Sequence, residues 1–137
     1  MTDDYNRQII EEFRANGGRV GGPWEGTPLI LVHHIGARSG TEYVTPVGCF
    51  PQEDGRFAIV ASSGGSPRHP AWYRNLKANP RVDVEVGAET FPVLAEEVQG
   101  AARAELWPHL AAQAPQIDDH QAKVTRQIPV IMLTRQD

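Results

Sequence analysis

The chain has 137 residues, 40% hydrophobic and 22% charged, with a formal net charge of −4 at pH 7 and a single cysteine, Cys49. That is one domain of ordinary globular composition, residues 1–137, large enough to bury a core without staples. The acidic balance argues against broad nucleic-acid binding, Cys49 alone excludes an internal disulfide framework and fits a cytoplasmic protein, and the short apolar runs, such as 58–61 and 130–133, fall far below the ~20 residues of a membrane span.

Residues 1–10 are polar and acidic, unlike a secretory signal. Asp3 or Asp4 is placed to cap a first helix that runs to about Ala15. Its apolar positions Tyr5, Ile9, Ile10 and Phe13 form a helical stripe, and Asn16-Gly17-Gly18 stops it. Residues 17–28 are glycine- and proline-rich around Trp24 and read as a loop. Residues 29–35 read as a strand, 36–41 as a turn with two glycines, and 43–50 as a second strand. Glu53-Asp54-Gly55 is a hairpin turn, 57–61 a third strand and 62–70 a Ser/Gly/Pro loop.

Pro70 suits a helix start, and 71–78 reads as a short helix that Asn79-Pro80 ends. Val82, Val84 and Val86 alternate with Asp83 and Glu85, a half-exposed strand. Gly87-Ala88 turns the chain and 90–98 pairs back. Residues 101–113 read as a helix that Pro108 kinks or splits, 118–125 as a weaker helix and 129–134 as a final strand. Hairpins dominate and no strand–helix–strand unit repeats. The expected fold is therefore mainly β with peripheral helices, a small barrel of about six antiparallel strands.

The charge is uneven. Residues 36–81 carry six Lys/Arg against three Asp/Glu, and the rest carries seven against fourteen. A basic middle in an acidic protein suits a small anionic ligand. Eleven of the thirteen bases are arginine, the residue that best grips phosphate or carboxylate through two donors.

Several chemistries are absent from the sequence. No two glycines stand two apart, so no dinucleotide fingerprint exists. There is no phosphate-binding G-x-x-x-x-G-K and no G-x-S-x-G nucleophile elbow. His33 and His34 are adjacent on a strand and point to opposite faces, one packed and one solvated, so no metal site is expected. Cys49, inside a strand, reads as a buried inert thiol.

Two polar loops remain, each following a strand. Gly36-Ala37-Arg38-Ser39-Gly40 has the form of an anion-binding nest with Arg38 adding charge, or of a plain hairpin loop. Residues 61–70 lead into the helix start at Ala71, whose N–H groups attract anions, or simply connect. Trp72 reads either as a ring for stacking or as a core residue.

Taken together, Gly36-Ala37-Arg38-Ser39-Gly40 with Thr45-Pro46, Ala61-Ser62-Ser63-Gly64-Gly65, His69-Pro70-Ala71-Trp72-Tyr73, Asn75-Leu76, Asn79-Pro80 and Val84-Glu85-Val86-Gly87 resemble the deazaflavin-dependent nitroreductase and F420H2-dependent quinone reductase family. These are split β-barrel, FMN-binding-like oxidoreductases that use coenzyme F420. The likeness runs in order through essentially the whole chain; each motif alone is weak and the ordered set is specific.

The resemblance implies that Arg38, Ser39 and Gly40 meet the phosphate and lactyl–glutamate tail. Tyr43 and Thr45 then belong to the same cofactor groove, and Pro46 and Val47 line the deazaflavin ring. Ala61, Ser62, Ser63 and Gly64 offer backbone and hydroxyl contacts, with Trp72 and Asn75 bracing that loop. Two positions depart from the family. Tyr43 stands where it usually has arginine and Ser63 where it usually has lysine, which leaves Arg68 or His69 as replacement cations. Ala114, Ile117 and His120 occupy the acceptor wall where the best-known nitroreductase has three tyrosines, which argues against bulky nitroaromatic substrates.

The activity so implied is hydride transfer from F420H2 to a quinone, enone or nitro acceptor. The cofactor carries the chemistry, with Ser62 and His120 as candidate donors to the acceptor oxygen. The alternatives are an FMN-binding barrel, or a barrel that sequesters F420 or a hydrophobic ligand without turnover. The family includes monomers and dimers, so monomer or homodimer is expected. Some members attach peripherally to the membrane through the N-terminal helix. Here that helix bears Asp3, Asp4, Glu11 and Glu12 against Arg7 and Arg14, which favours a cytoplasmic protein.

Overall fold

The computed structural model describes residues 2–136; the side chains of Thr2, Asp3 and Pro23 lie outside what is described, and with them the Asp3 cap. In chain order the elements are α1 (Thr2–Ala15), β1 (Leu29–Ile35), β2 (Glu42–Pro51), β3 (Phe57–Val60), α2 (Ala71–Ala78), β4 (Arg81–Val86), β5 (Glu89–Val98), α3 (Gly100–Gln113), α4 (Gln116–Ala122) and β6 (Val130–Arg135). Single 3-10 turns occupy Gly22–Trp24 and Ser63–Gly65. The strands close into an antiparallel barrel in the order β1-β2-β3-β6-β5-β4. Closure leaves no open sheet edge. The six-stranded barrel with peripheral helices is the one that the hairpin pattern predicts.

Side chains alternate between the two faces of each strand. Ile30 and Val32 of β1 point inward with Val47 and Cys49 of β2, Val84 of β4, Val93 of β5 and Ile131 of β6. Trp72 and Leu76 pack from α2 into the same core. Outside, α1 lays Ile9 and Phe13 on Leu29 and Leu31 of β1, with Val44 of β2 alongside. On another face, Leu110 of α3 and Ile117 of α4 pack on Ala58, Val130 and Met132.

Four expectations need correction. Helix α1 already includes Asp4, so Asp4 is not its cap. Helix α3 runs unsplit through Pro108. Proline costs an interior hydrogen bond, but Pro108 and Ala104, whose carbonyl it leaves unpaired, both lie on the exposed face of the helix, while Leu106, Trp107, Leu110 and Ala111 pack on either side. Helix α4 begins two residues earlier than the reading because Ile117 anchors it in the core. It stops at Ala122, where the Gln121 side chain takes over: its Nε2 donates to the Arg126 carbonyl (2.8 Å) and its Oε1 accepts the Ile128 N–H (2.9 Å). Finally, His34 is the packed histidine, but His33 is not freely solvated. Its Nε2 lies 2.7 Å from Glu85, which also takes a two-point contact from Arg14 at 3.0 and 2.7 Å.

No helix among the described residues is long and apolar enough to cross a membrane.

Leu110 is fully buried and ties α3 to the barrel. Leu110→Ala is expected to cost about 2–5 kcal/mol of stability through lost burial and a residual cavity, read as a lower urea midpoint at unchanged slope.

Candidate active site

Strand β2 carries two faces with two duties. Register with β1 pairs Leu29 with Gly48, Ile30 with Val47, Val32 with Thr45 and His34 with Tyr43. Tyr43, Thr45 and Val47 therefore share the inward face with His34, whereas Val44, Pro46, Gly48 and Phe50 face out. One cleft, about 950 Å³, opens at the β1–β2 turn; a second, about 490 Å³, opens further along β2.

The first cleft is cationic. Its walls include Arg38 of the turn, Arg7 and Arg14 of α1, and Arg74 of α2, with Ser39 and Tyr43 beside them. Arg14 is neutralised by Glu85 and holds that carboxyl below the usual carboxylate range. Among the described residues, Arg7, Arg38 and Arg74 have no carboxylate partner. Neither Arg68 nor His69, the replacements that the sequence reading named, lines this cleft. A signal for the missed residues was present. Arg7, Ile10 and Arg14 are spaced three and four apart, one face of α1; nothing in the sequence says that this face meets α2 across the turn.

The turn itself binds less through its backbone than a nest would. Gly36 N–H goes to Thr41 carbonyl (2.8 Å), Gly40 N–H to Gly36 carbonyl (3.0 Å), Thr41 N–H to Ser39 Oγ (3.2 Å) and Ala37 N–H to Asn75 Oδ1 (3.0 Å). Three of the five N–H groups of 36–40 are already used; among the described residues those of Arg38 and Ser39 have no partner, and with the Arg38 side chain they are what the turn offers an anion. Gly40, at φ +72°, takes the left-handed conformation that closes the turn. Asn75 braces this turn, not the 61–64 loop that the resemblance assigns to it. Trp72, 8% exposed, belongs to the barrel core rather than to a stacking platform.

Behind the turn lies a buried polar chain. Because Asn75 Oδ1 accepts from Ala37, its Nδ2 donates to Nδ1 of His34 (2.9 Å). His34 must then carry its proton on Nε2, which donates to Thr45 Oγ1 at 2.8 Å. The network assigns the tautomer. His34 also stacks on the exposed ring of Tyr43, with centroids 5.6 Å apart. Burial, then the charge of His33, pushes His34 down to about 4.

The second cleft brings together residues far apart in sequence. Val47 and Gly48 of β2, Ser62 and Gly64 of the 61–69 loop, and Ala114, Ile117 and His120 of the α3–α4 region all border it. Ile117 is 4% exposed, more an anchor of α4 than an open wall. The Nδ1 of His120 lies 3.3 Å from Ser62 Oγ, so the two candidate proton donors share a hydrogen bond. Gly65 permits this approach: at φ +86°, a Cβ there would sit 3.1 Å from Lys123 Cδ and 3.4 Å from His120 Cα. Ser63 adopts φ +49°, a left-handed conformation that costs a serine on the order of 1 kcal/mol. It is exposed and does not border the second cleft. Ala61 is fully buried in the barrel core. The inward thiol of Cys49 is pushed up to about 12 by burial.

A family model described as F420H(2)-dependent quinone reductase matches residues 5–135. The chain belongs to this family. An F420H(2)-dependent quinone reductase of Mycobacterium tuberculosis is 38% identical over 127 residues, 90% of this chain and 85% of its own length. The solved F420-H2 dependent reductase FDR-A is 38% identical, covers 77% of this chain and 93% of its own, and superposes with a TM-score of 0.69. A structure described as a domain-swapped dimer is 34% identical, with 97% and 99% coverage and a TM-score of 0.71.

Membership in the F420H2-dependent quinone reductase family makes this chain an oxidoreductase and coenzyme F420 its cofactor. The residues fit that group. A Cβ built on outward-facing Gly48 meets nothing within 4 Å, so a flat ring can rest against bare backbone there. Three arginines without carboxylate partners suit a phosphate and a glutamate tail.

The buried chain makes a prediction about pH. An unfolded histidine protonates near pH 6.5, whereas folded His34 stays neutral down to about 4. Between these values the unfolded state binds more protons, so stability falls as pH drops through this window, at up to about 1.4 kcal/mol per pH unit. His69, shifted in the same direction, adds to the slope. Urea unfolding of the wild type and His34→Gln from pH 7 to 4.5 is expected to show a shallower decline in the variant.

Proposed function

We propose that the protein reduces a small quinone with hydride from F420H2, the tail lying in the arginine-lined cleft and the acceptor meeting the Ser62–His120 pair. The observation that carries this reading is the convergence of that pair with Gly48 on one cleft. When bound, the reduced deazaflavin supplies the hydride, so the chain needs no nucleophile of its own. Arg38, with Arg7 and Arg74, holds the anionic tail. Pro46 and Gly48, on the outward face of β2, offer the ring a surface, and Ser62 and Gly64, which border the cleft, offer it backbone and hydroxyl contacts; Val47 and Ala61, named with them from the sequence, are taken up by the barrel core.

Reduction of a quinone or enone builds negative charge on its oxygen, and a positioned donor lowers that barrier. Ser62 Oγ–H donates to this oxygen and His120 resupplies the proton across the 3.3 Å contact. Ala114 in place of an aromatic ring widens the acceptor side, which suits quinones, enones and compact nitro compounds better than bulky nitroaromatics. FMN carries one phosphate and no glutamate tail, fewer anionic groups than three unpartnered arginines accommodate; that weighs against the FMN alternative.

Attachment to a membrane through α1 is disfavoured, since its apolar residues Ile9 and Phe13 are already 4% and 1% exposed against the barrel. A cytoplasmic monomer or homodimer is the corresponding proposal.

Two measurements test this. Arg74→Ala and Arg38→Ala are each expected to weaken F420 binding roughly tenfold, about 1.4 kcal/mol, the low end for a charge-assisted contact because the rim is open to water. The loss should shrink at high salt in a fluorescence titration, and equal dissociation constants would place the tail elsewhere. His120→Ala is expected to lower kcat/KM for menadione about tenfold with F420 affinity unchanged; an unaltered rate would leave Ser62 as the donor without a relay.

A further inference from the structure

The 61–69 loop has an unusual tether. The half-buried side chain of Arg126, on the segment between α4 and β6, donates from Nε to the Ser66 carbonyl (3.1 Å), from Nη1 to the Ala61 carbonyl (3.3 Å) and from Nη2 to the Ser62 carbonyl (3.0 Å). Nη1 also donates to Nδ1 of His69 at 3.0 Å, which fixes that ring with its proton on Nε2, packed against Tyr73 at a centroid distance of 4.6 Å. One planar guanidinium thus ties the start of the loop to its end. Its own backbone is held by Gln121 of α4, whose Nε2 donates to the Arg126 carbonyl. Arg126 therefore couples the helix that carries His120 to the loop that carries Ser62.

The consequence follows from peptide geometry. In a trans peptide the C=O and the following N–H point in opposite directions. Carbonyls of Ala61 and Ser62 drawn toward Arg126 turn the N–H groups of Ser62 and Ser63 away from it. Among the described residues, neither N–H has a partner within the chain. Arg126 is absent from the lining of the second cleft, whereas Ser62 borders it. We infer that Arg126 is a positioning residue for hydride transfer: it orients the Ser62 N–H and the Ser62 hydroxyl, as one unit, toward an oxygen- or nitrogen-bearing edge of the ligand in that cleft.

This inference rests on the reductase reading, and the test separates the two. Hydrogen exchange is followed in the cofactor-free wild type, Arg126→Ala and Arg126→Lys. Exchange should rise across residues 61–69 in both variants while α1 and the barrel strands keep their protection. Lysine preserves the charge but cannot bridge four acceptors, so it should not restore the loop. With F420H2 and menadione, kcat should fall at least tenfold in both variants, and the dissociation constant for F420 should rise by a smaller factor than kcat falls, because the arginine cleft that holds the tail is untouched while only the ring's contacts with the loop are loosened. Added methylguanidinium should recover part of kcat in Arg126→Ala but not in Arg126→Lys. Unchanged loop exchange would overturn the inference, as would a kcat loss that methylguanidinium does not relieve. If Arg126→Ala does not fold, Arg126→Lys decides by the same exchange and kcat criteria. A wild type that fails to reduce menadione would remove the reductase reading, and the exchange measurement would still decide whether Arg126 holds the loop.

Discussion

Everything at the site depends on the pleat of β2. A strand with one face in the barrel core has every second residue free to do something else. Val47 and Cys49 fill the core, while Pro46 and Gly48 between them turn outward. Helix α1 covers the outer face near Val44 and the α3–α4 pair covers it near Phe50. Gly48 thus lies between two covered stretches, where its missing side chain leaves space. A one-residue slip of β2 against β1 would exchange the core and cleft faces together.

Charge is sorted by whether it is already answered. Arg14, Arg56 and Lys77 each sit against a carboxylate, and Arg126 gives four of its five N–H donors to three carbonyls and a ring nitrogen. These cations hold parts of the protein together. Arg7, Arg38 and Arg74 face a common cleft and have no such partner among the described residues, so their attraction remains available to a ligand. The distinction between structural and functional arginine lies in the neighbours, not in the residue type.

That distinction explains what could be read from the sequence. Alternation in 82–86, the glycine turns at 36–40 and 53–55 and the stripe Ile9–Phe13 gave the strands and α1, because local periodicity and turn chemistry decide them. The loops are legible through ordered motifs, and Ser62 and His120 do meet. Long-range facts were not legible. Nothing local shows that α1 delivers Arg7 beside Arg38, that Asn75 reaches Ala37 through a buried histidine, or that Arg126 closes a loop sixty residues upstream. Nor does local sequence show that α3 continues through Pro108, because that depends on which face of the helix the proline occupies.

The inward placement of Cys49 has a chemical consequence for the quinone acceptor proposed above. Quinones are electrophiles that add to thiolates, and a cysteine bordering their cleft invites self-inactivation. With its thiol pushed up to about 12 by burial, Cys49 carries almost no reactive anion at neutral pH. The packing that makes Cys49 part of the barrel core also makes it a poor target for such an electrophile.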